Sequence, residues 1–304
     1  MLKKYREKRA KRKQEQIYKM HAMLTALHLQ SMTLHSQSSG IGNAKPESIV
    51  VSLTSFPARI NDVHLTIESL FQQSLKADQI ILWLSVENFP NQLNDLPEAL
   101  LMQRARGLSI EFVEGDLGPY KKIIYSLKAH PDALILTFDD DILYPVDSID
   151  LLYRAYLNEP NVIHCHRGHK VQYDTSGNIL PYHQWQMGLK SSSANFDIFP
   201  TGNGGVLYFP GALHSDVTDE KVFQSLALNA DDVWLKAMSL RNKVPCKVVS
   251  HTKHWRARLL MIEGSQDVAL IKQNKSKCDG NDYKIHAVFN HFDLWSQLKA
   301  NYDC

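Results

Sequence analysis

The chain has 304 residues, 44% hydrophobic and 22% charged, a globular balance with apolar mass for one large domain or two intimate ones. Its four cysteines, Cys165, Cys246, Cys278 and Cys304, form no CxxC pair and no regular spacing, which argues against a disulfide framework and a zinc cluster and fits a reducing cytoplasm. The net charge of +2 hides an asymmetry, because residues 1–19 hold nine Lys/Arg against two Glu, so that this tail carries +7 and the rest of the chain −5.

No apolar run with a small-residue cleavage site follows the basic start, so no signal peptide is expected. The uncharged stretch from Met20 to Ala44 is interrupted by His21, His28, Gln30, His35 and Gln37 and is too polar to span a bilayer. Ile17, Met20, Leu24 and Leu27 fall at helical spacing, predicting one helix over roughly residues 3–34 within an N-terminal segment of residues 1–38. Such a helix suits an anionic membrane surface, where each basic residue contributes about 1 kcal/mol. It equally suits packing on the body or pairing with a second subunit in a homo-oligomer. No basic and aromatic pattern accompanies the charge run, so nucleic acid is not an expected partner.

The small polar stretch Ser36–Asn43 reads as a linker, placed at residues 39–47, into a main domain of residues 48–304. From Ser48, strand-like runs alternate with helix-like ones. Ser48–Leu53 precedes a helix over Asn61–Gln73, Gln79–Leu84 precedes one over Leu96–Arg106, and Ser109–Val113 precedes one over Lys121–His130, before the run Ala133–Phe138. This β-α-β-α order predicts an α/β fold, an open and mostly parallel sheet with helices on both faces. In such sheets ligands bind beyond the carboxyl ends of the strands, where Ser52–Arg59 and the triplet Asp139, Asp140 and Asp141 would both lie.

Further along, a helix is expected over Asp147–Leu157 and a strand over Val162–His166. An acceptor-side surface insertion rich in Tyr, Gln, Ser and Asn is expected over about residues 170–200. Gly204–Phe209 reads as a strand, Asp219–Leu228 and Asp231–Leu240 as helices, and Cys246–Ser250 as the last core strand. Asp282–Leu298 reads as a terminal amphipathic helix with Ile285, Val288, Phe289, Leu294 and Leu298 inward.

The acidic triplet is the strongest chemical signal. Clustered carboxylates repel, and a hard divalent cation between them offsets that cost. Alternation along a strand would put Asp139 and Asp141 on one face, able to chelate one ion, with Asp140 pointing away. The plainer reading is a strand end opening a turn. Ser52, Thr54 and Arg59 close the first strand, where backbone can cradle a nucleoside and arginine can grip a diphosphate. Lys121 and Lys122 open a helix within reach of phosphate, while the absence of GxxxxGK[ST] excludes a P-loop.

A second acidic pair, Asp231 and Asp232, follows Asp141 by 90 and 91 residues and starts a helix, as a cap or as a general base. The loop Pro200–Gly205 before it has three glycines in four positions, permitting a close approach of backbone to ligand or a tight turn. His164, His166 and His169 lie on or beyond a strand. No Asp, Glu or Cys completes a zinc spacing with them. His251 follows the last core strand at the same sheet edge as the triplet and is the candidate third metal ligand.

The segments Val51–Ile60, Ile80–Ser85, Phe138–Ile142, His164–Arg167, Gly204–Tyr208 and Ala230–Trp234, taken in order and spacing, resemble bacterial GT-A glycosyltransferases of capsule and lipopolysaccharide synthesis over about residues 48–290. The resemblance implies a nucleotide-sugar donor, with a UDP-sugar favoured, and a Mn²⁺ or Mg²⁺ ion on Asp139 and Asp141. It implies a glycan or lipid-linked glycan acceptor and a place on the inner face of the cytoplasmic membrane. Ser52, Thr54, Arg59, Lys121, Lys122 and Asp140 are then the candidate donor-binding residues. Asp231 and Asp232 stand where the family keeps its xED motif, so Asp232 becomes the candidate base. The chain departs by carrying Asp at residue 231 where the family has Glu, and His251, His254 and His286 all compete for the family's C-terminal metal-binding histidine. Inversion is expected and retention stays open, since the sequence does not reveal which face the acceptor uses. Transfer of a sugar phosphate or phosphate, and a non-catalytic glycan-binding or scaffold role, are the competing readings.

Overall fold

The computed structural model describes residues 2–42, 44–265 and 280–300, so the expectations for Cys278 and Cys304 lie outside the described residues. In chain order the elements are α1 (Leu2–His35), β1 (Ile49–Thr54), α2 (Val63–Phe71), β2 (Gln79–Ser85), α3 (Glu98–Met102), β3 (Leu108–Val113), α4 (Lys121–Ala129), β4 (Leu134–Thr137) and β5 (Ile142–Leu143). They continue with α5 (Ser148–Asn158), β6 (Ile163–Cys165), β7 (Gly168–Lys170), β8 (Ile198–Pro200), β9 (Val206–Tyr208), α6 (Glu220–Leu226) and α7 (Asp231–Arg241). The last are β10 (Cys246–Val248), α8 (Trp255–Arg258), β11 (Leu260–Met261), α9 (Asn281–His291) and α10 (Trp295–Lys299).

The fold is α/β, as the alternating runs require. Seven strands form one sheet in the order β10-β6-β9-β4-β1-β2-β3. All neighbours pair in parallel except β9, which runs antiparallel between β4 and β6. The central strands are continuous apolar runs because both faces are covered. Alternate residues serve two cores. Val50, Ile81 and Ile135 pack under α4, α7 and α9, while Ile49, Val51, Leu53 and Leu136 pack under α2, α3 and α5.

Several elements differ from the sequence reading. The helix expected over Leu96–Arg106 is α3 followed by a tight 3₁₀ turn over Gln103–Arg106, which ends at Gly107 with φ +111°. Arg106 turns into the core and pairs with fully buried Glu68 at 2.7 Å. The expected surface insertion is closed at its base by the β7–β8 ribbon, and its Trp185 is buried against Phe199 and Tyr182. The single terminal helix is broken between α9 and α10 at Asp293, whose φ of +49° is left-handed. Its five inward residues are all buried as expected.

Helix α1 packs on the body along a face other than the expected apolar stripe. Ala22 and Leu29 are buried with Leu65, Leu143, Leu260 and Ile262, and Thr33 Oγ1 donates to Glu68 Oε2 at 3.3 Å. Small Ala22 lets the helix approach closely, which a row of leucines would prevent. Ile17, Met20, Leu24 and Leu27 remain 52–59% exposed on the opposite side. The expected linker is also tied down, since Gly40 N donates to Arg106 O at 2.8 Å and Gly42 N to Ala77 O at 2.9 Å. No helix among the described residues is long and apolar enough to cross a membrane.

Candidate active site

Strand β4 ends at Thr137, so the triplet Asp139–Asp141 lies in the turn before β5 rather than on a pleated strand. The alternation expected for a strand therefore does not apply. Asp140 does not point away from its neighbours' chemistry, because the Arg59 guanidinium clamps both Asp140 Oδ1, at 2.6 Å, and Asp141 Oδ2, at 3.0 Å. Ser55 Oγ adds a bond to Asp140 Oδ2 at 2.6 Å. Asp139 is turned the other way, toward Lys122.

Lys122 joins the two acidic clusters. Its ammonium lies 2.7 Å from Asp139 Oδ1 and 3.0 Å from Asp231 Oδ2, and its side chain is almost fully buried. Helix α4 brings it there because its first residues sit at the carboxyl edge of the sheet, and Ser52 Oγ holds the Lys122 carbonyl from below. Asp231 and Asp232 arrive on the first turn of α7, where the positive end of the helix dipole favours carboxylates. Asp232 Oδ1 accepts a bond from Gly202 N at 2.9 Å. A Cβ at residue 202 would stand 3.2 Å from both Asp232 Oδ1 and Lys122 Nζ and 3.4 Å from Asp139 Oδ1. The glycine loop is thus the floor on which the acidic groups and the lysine converge, and any larger residue there would crowd them.

Burial and charge set the protonation of this cluster. Burial raises the Asp141 carboxyl to about 7, with the Arg59 charge offsetting only part of the effect. Asp140 is raised for the same reason and again partly relieved by Arg59 and Ser55. Asp232 is held well above the usual carboxylate range, first by burial and then by the neighbouring Asp231 charge. Burial alone would lower the Lys122 ammonium, but Asp139, Asp231 and Asp232 together raise it, so it stays charged.

The remaining sequence candidates lie elsewhere. Ser52 is fully buried in a network with Trp83 Nε1 (3.1 Å) and Ser126 Oγ (2.7 Å), and Thr54 Oγ1 donates to Trp83 O at 2.8 Å. Both hydroxyls are spent inside the sheet, not turned to a ligand. Lys121 pairs with Asp116 instead of facing the acidic crevice. His251 Nε2 lies 3.1 Å from His166 Nδ1, and no carboxylate of the triplet is among its hydrogen-bond partners. Burial drives His251 down to about 4 and His166 to about 3, which leaves both rings neutral. His254 accepts from Arg256 N at 3.3 Å at the start of α8, and His286 of α9 lies against Trp295 of α10.

Two side chains that the sequence candidates do not include also contribute. Tyr144 Oη accepts from Asp139 N at 3.0 Å and donates to Asn203 O at 3.1 Å, linking the triplet to the glycine loop. Arg167 bonds Thr201 Oγ1 at 2.8 Å and stacks on Trp255 at 4.5 Å, with its charge felt by Asp232 and Asp139. Its place just past the carboxyl end of β6 is the signal that would have found it. The glycine loop, which the sequence singles out for a close approach of backbone, adds the N–H of Gly202 to the site.

The donor set suits a hard divalent ion in kind, since it offers carboxylate oxygens and no sulfur. Among the described residues no group of three or more His, Cys, Asp or Glu side chains is arranged to hold a metal. Magnesium-like ions are commonly held by one or two carboxylates with substrate phosphates completing the shell, a number that Asp139 and Asp141 reach only by turning from Lys122 and Arg59, their present partners.

No protein-family model and no curated protein matches this chain. Among solved structures, the crystal structure of 4-diphosphocytidyl-2C-methyl-D-erythritol synthase from Anaerococcus prevotii is similar, at 14% identity and a TM-score of 0.45, over 73% of this chain and 95% of that one. A likeness of that degree carries no argument about activity.

Proposed function

We propose that the protein is a divalent-metal-dependent glycosyltransferase that moves a sugar from a nucleotide-sugar donor, with a UDP-sugar favoured, to a hydroxyl of a glycan or lipid-linked glycan acceptor in cell-surface polysaccharide synthesis. The observation that supports it most is the meeting of two acidic clusters, 90 residues apart in the chain, over the single ammonium of Lys122. One cluster then serves the phosphate end of the donor and the other serves the acceptor.

Asp139 and Asp141 would hold a Mn²⁺ or Mg²⁺ ion, which when bound supplies charge stabilisation for a nucleoside diphosphate leaving group. Were Asp141 to hold the ion, the Arg59 nitrogen now paired with it would be open to the diphosphate oxygens, which its planar fork suits, while Asp140 would keep the guanidinium in place. Lys122, fixed and charged, adds electrostatic stabilisation at the place where negative charge develops. Asp232 is the general base. Its bond from Gly202 N fixes one oxygen, and its raised affinity for protons suits removal of one from an acceptor hydroxyl once the carboxyl itself has been ionised. Attack from the Asp232 side, opposite the leaving group, gives inversion.

Calorimetric titration of nucleoside diphosphates and nucleotide sugars, with and without Mn²⁺, tests the reading on wild type and Asp141→Ala. Mn²⁺-dependent binding that the substitution abolishes is expected. Asp232→Asn should retain that binding and lose about 10²–10⁴-fold in transfer rate. Binding that ignores the metal, or transfer that survives Asp232→Asn, removes the proposal.

A further inference from the structure

Residues 8–17 of α1 are exposed on every side, so the first turns of the helix stand clear of the body. Beyond them the helix is held firmly. Tyr18 Oη donates to Leu259 O at 3.2 Å and accepts from Met261 N at 2.9 Å, and Ala22, Leu29 and Thr33 are buried against the body. The outer side carries a single line at helical spacing. Arg6, Arg9 and Lys13 come first and Ile17, Met20, Leu24 and Leu27 follow, all exposed. This side therefore offers cations in its first turns and apolar anchors in the later ones, the two attractions that hold a helix on an anionic bilayer surface.

We propose that this outer side of α1 docks the protein on an anionic bilayer surface, with the apolar line entering the headgroup boundary and the basic turns pairing with acidic headgroups. Charge complementarity decides the occupant. A second copy of the chain could also cover a line with this spacing, but residues 20–35 contain no Asp or Glu. In an antiparallel pair the basic turns would therefore meet no acidic partner, and in a parallel pair they would meet each other. Anionic headgroups supply the missing charge.

The docking also has a direction. The face of α1 opposite the apolar line grips β11 and β5, and Ile262 N donates to Asp141 O at 3.0 Å just beyond β11. A bilayer beneath α1 would thus lie one helix diameter from the segment that supports the acidic triplet. The inference stands on the helix alone and does not depend on the reaction proposed for the crevice.

Co-sedimentation of the full chain with vesicles tests it, comparing phosphatidylcholine alone with phosphatidylcholine containing about a third phosphatidylglycerol. Binding is expected only to the anionic vesicles. Each basic residue neutralised should weaken it about fivefold, so Arg9→Gln with Lys13→Gln should cost about 25-fold. Met20→Ser with Leu24→Ser should cost at least about tenfold. Raising salt from about 0.1 M to about 0.5 M should weaken the wild type more than the doubly neutralised variant. All four positions are exposed, so thermal melting of both variants should match wild type and exclude misfolding as the cause. Equal binding to both vesicle types, or binding indifferent to either pair of substitutions, overturns the proposal. So does a solution dimer that Met20→Ser with Leu24→Ser dissociates, since the line would then belong to a second copy.

Discussion

Lys122→Met removes the one charge that the two acidic clusters share while keeping the length and apolar stem of the side chain. Asp139 and Asp231 then lose an ammonium at 2.7 and 3.0 Å, in a place where Lys122 itself is only 5% exposed. Removing one partner of a buried ion pair costs about 3–5 kcal/mol, because the remaining charge is left without compensation. Asp139 is 28% exposed and keeps part of its hydration, so the lower end applies, about 3 kcal/mol. For a chain of this size that corresponds to a fall in melting temperature of about 5–10 °C. The penalty depends on pH. Lys122 has its own pKa raised and stays charged throughout the neutral range, so the dependence comes from the carboxylates. Asp232 has a folded pKa raised above its unfolded value, so the native state binds more protons than the unfolded one between the two values, and its stability falls as pH rises through that window. Without Lys122 the raised value climbs further. Thermal unfolding of variant and wild type at pH 8 and at pH 5 should therefore show a larger deficit at pH 8 and a smaller one at pH 5, where Asp232 holds its proton and needs no counter-charge. A deficit below about 1 kcal/mol at pH 8, or one equal at both pH values, would refute the idea that Lys122 compensates both clusters.

Two further outcomes follow from the same geometry. Asp231→Asn removes the charge that, after burial, does most to raise Asp232, so the acid limb of the pH–rate profile should move to lower pH; an unmoved or higher limb would show that the pair does not titrate as one coupled unit. Residues 8–16 are exposed on every side, so deleting residues 2–16 should leave the melting temperature unchanged, whereas deleting residues 1–40 strips the cover from Leu65, Leu143 and Ile262 and should cost more than about 3 kcal/mol, read from urea unfolding.

Strands β1, β2 and β4 are legible because parallel strands buried on both faces are written as largely apolar runs, and β3, at the sheet edge, shows instead as apolar residues alternating with Ser109 and Glu111. Strand β9 was seen as a strand, but its antiparallel direction was not, since three residues carry no signal of orientation. The side-chain directions of the triplet were misread because the strand stops at Thr137 and period-two alternation stops with it. In α1 the helix itself was plain, but the stripe of large residues drew attention to the outer side, whereas the body accepts a face built on Ala22 that looks unremarkable in a sequence. Lys121 and Lys122 looked equivalent. One helical step of about 100° sends the first to Asp116 and the second between the acidic clusters, and only the position of the α4 axis decides which.

Charge balance in the crevice bears on how a donor would enter under the proposed activity. Five carboxylates, Asp139, Asp140, Asp141, Asp231 and Asp232, face three cations, Arg59, Lys122 and Arg167. Fully ionised, the group is short of positive charge by two, the charge of one divalent ion. Burial meets part of that imbalance by holding protons on Asp141 and Asp232. A nucleoside diphosphate arriving alone would bring more negative charge to a place already short of positive charge, whereas one arriving with its metal ion brings the missing charge and frees Arg59 from Asp141. The proton that Asp141 holds would then leave, so metal–nucleotide binding should release protons to buffer, and affinity should rise with pH through about 7. Calorimetry in buffers of different ionisation enthalpy reads that release directly. Binding without proton release at pH 6.5 would mean that Asp141 keeps its bond to Arg59 and takes no part in holding the ion.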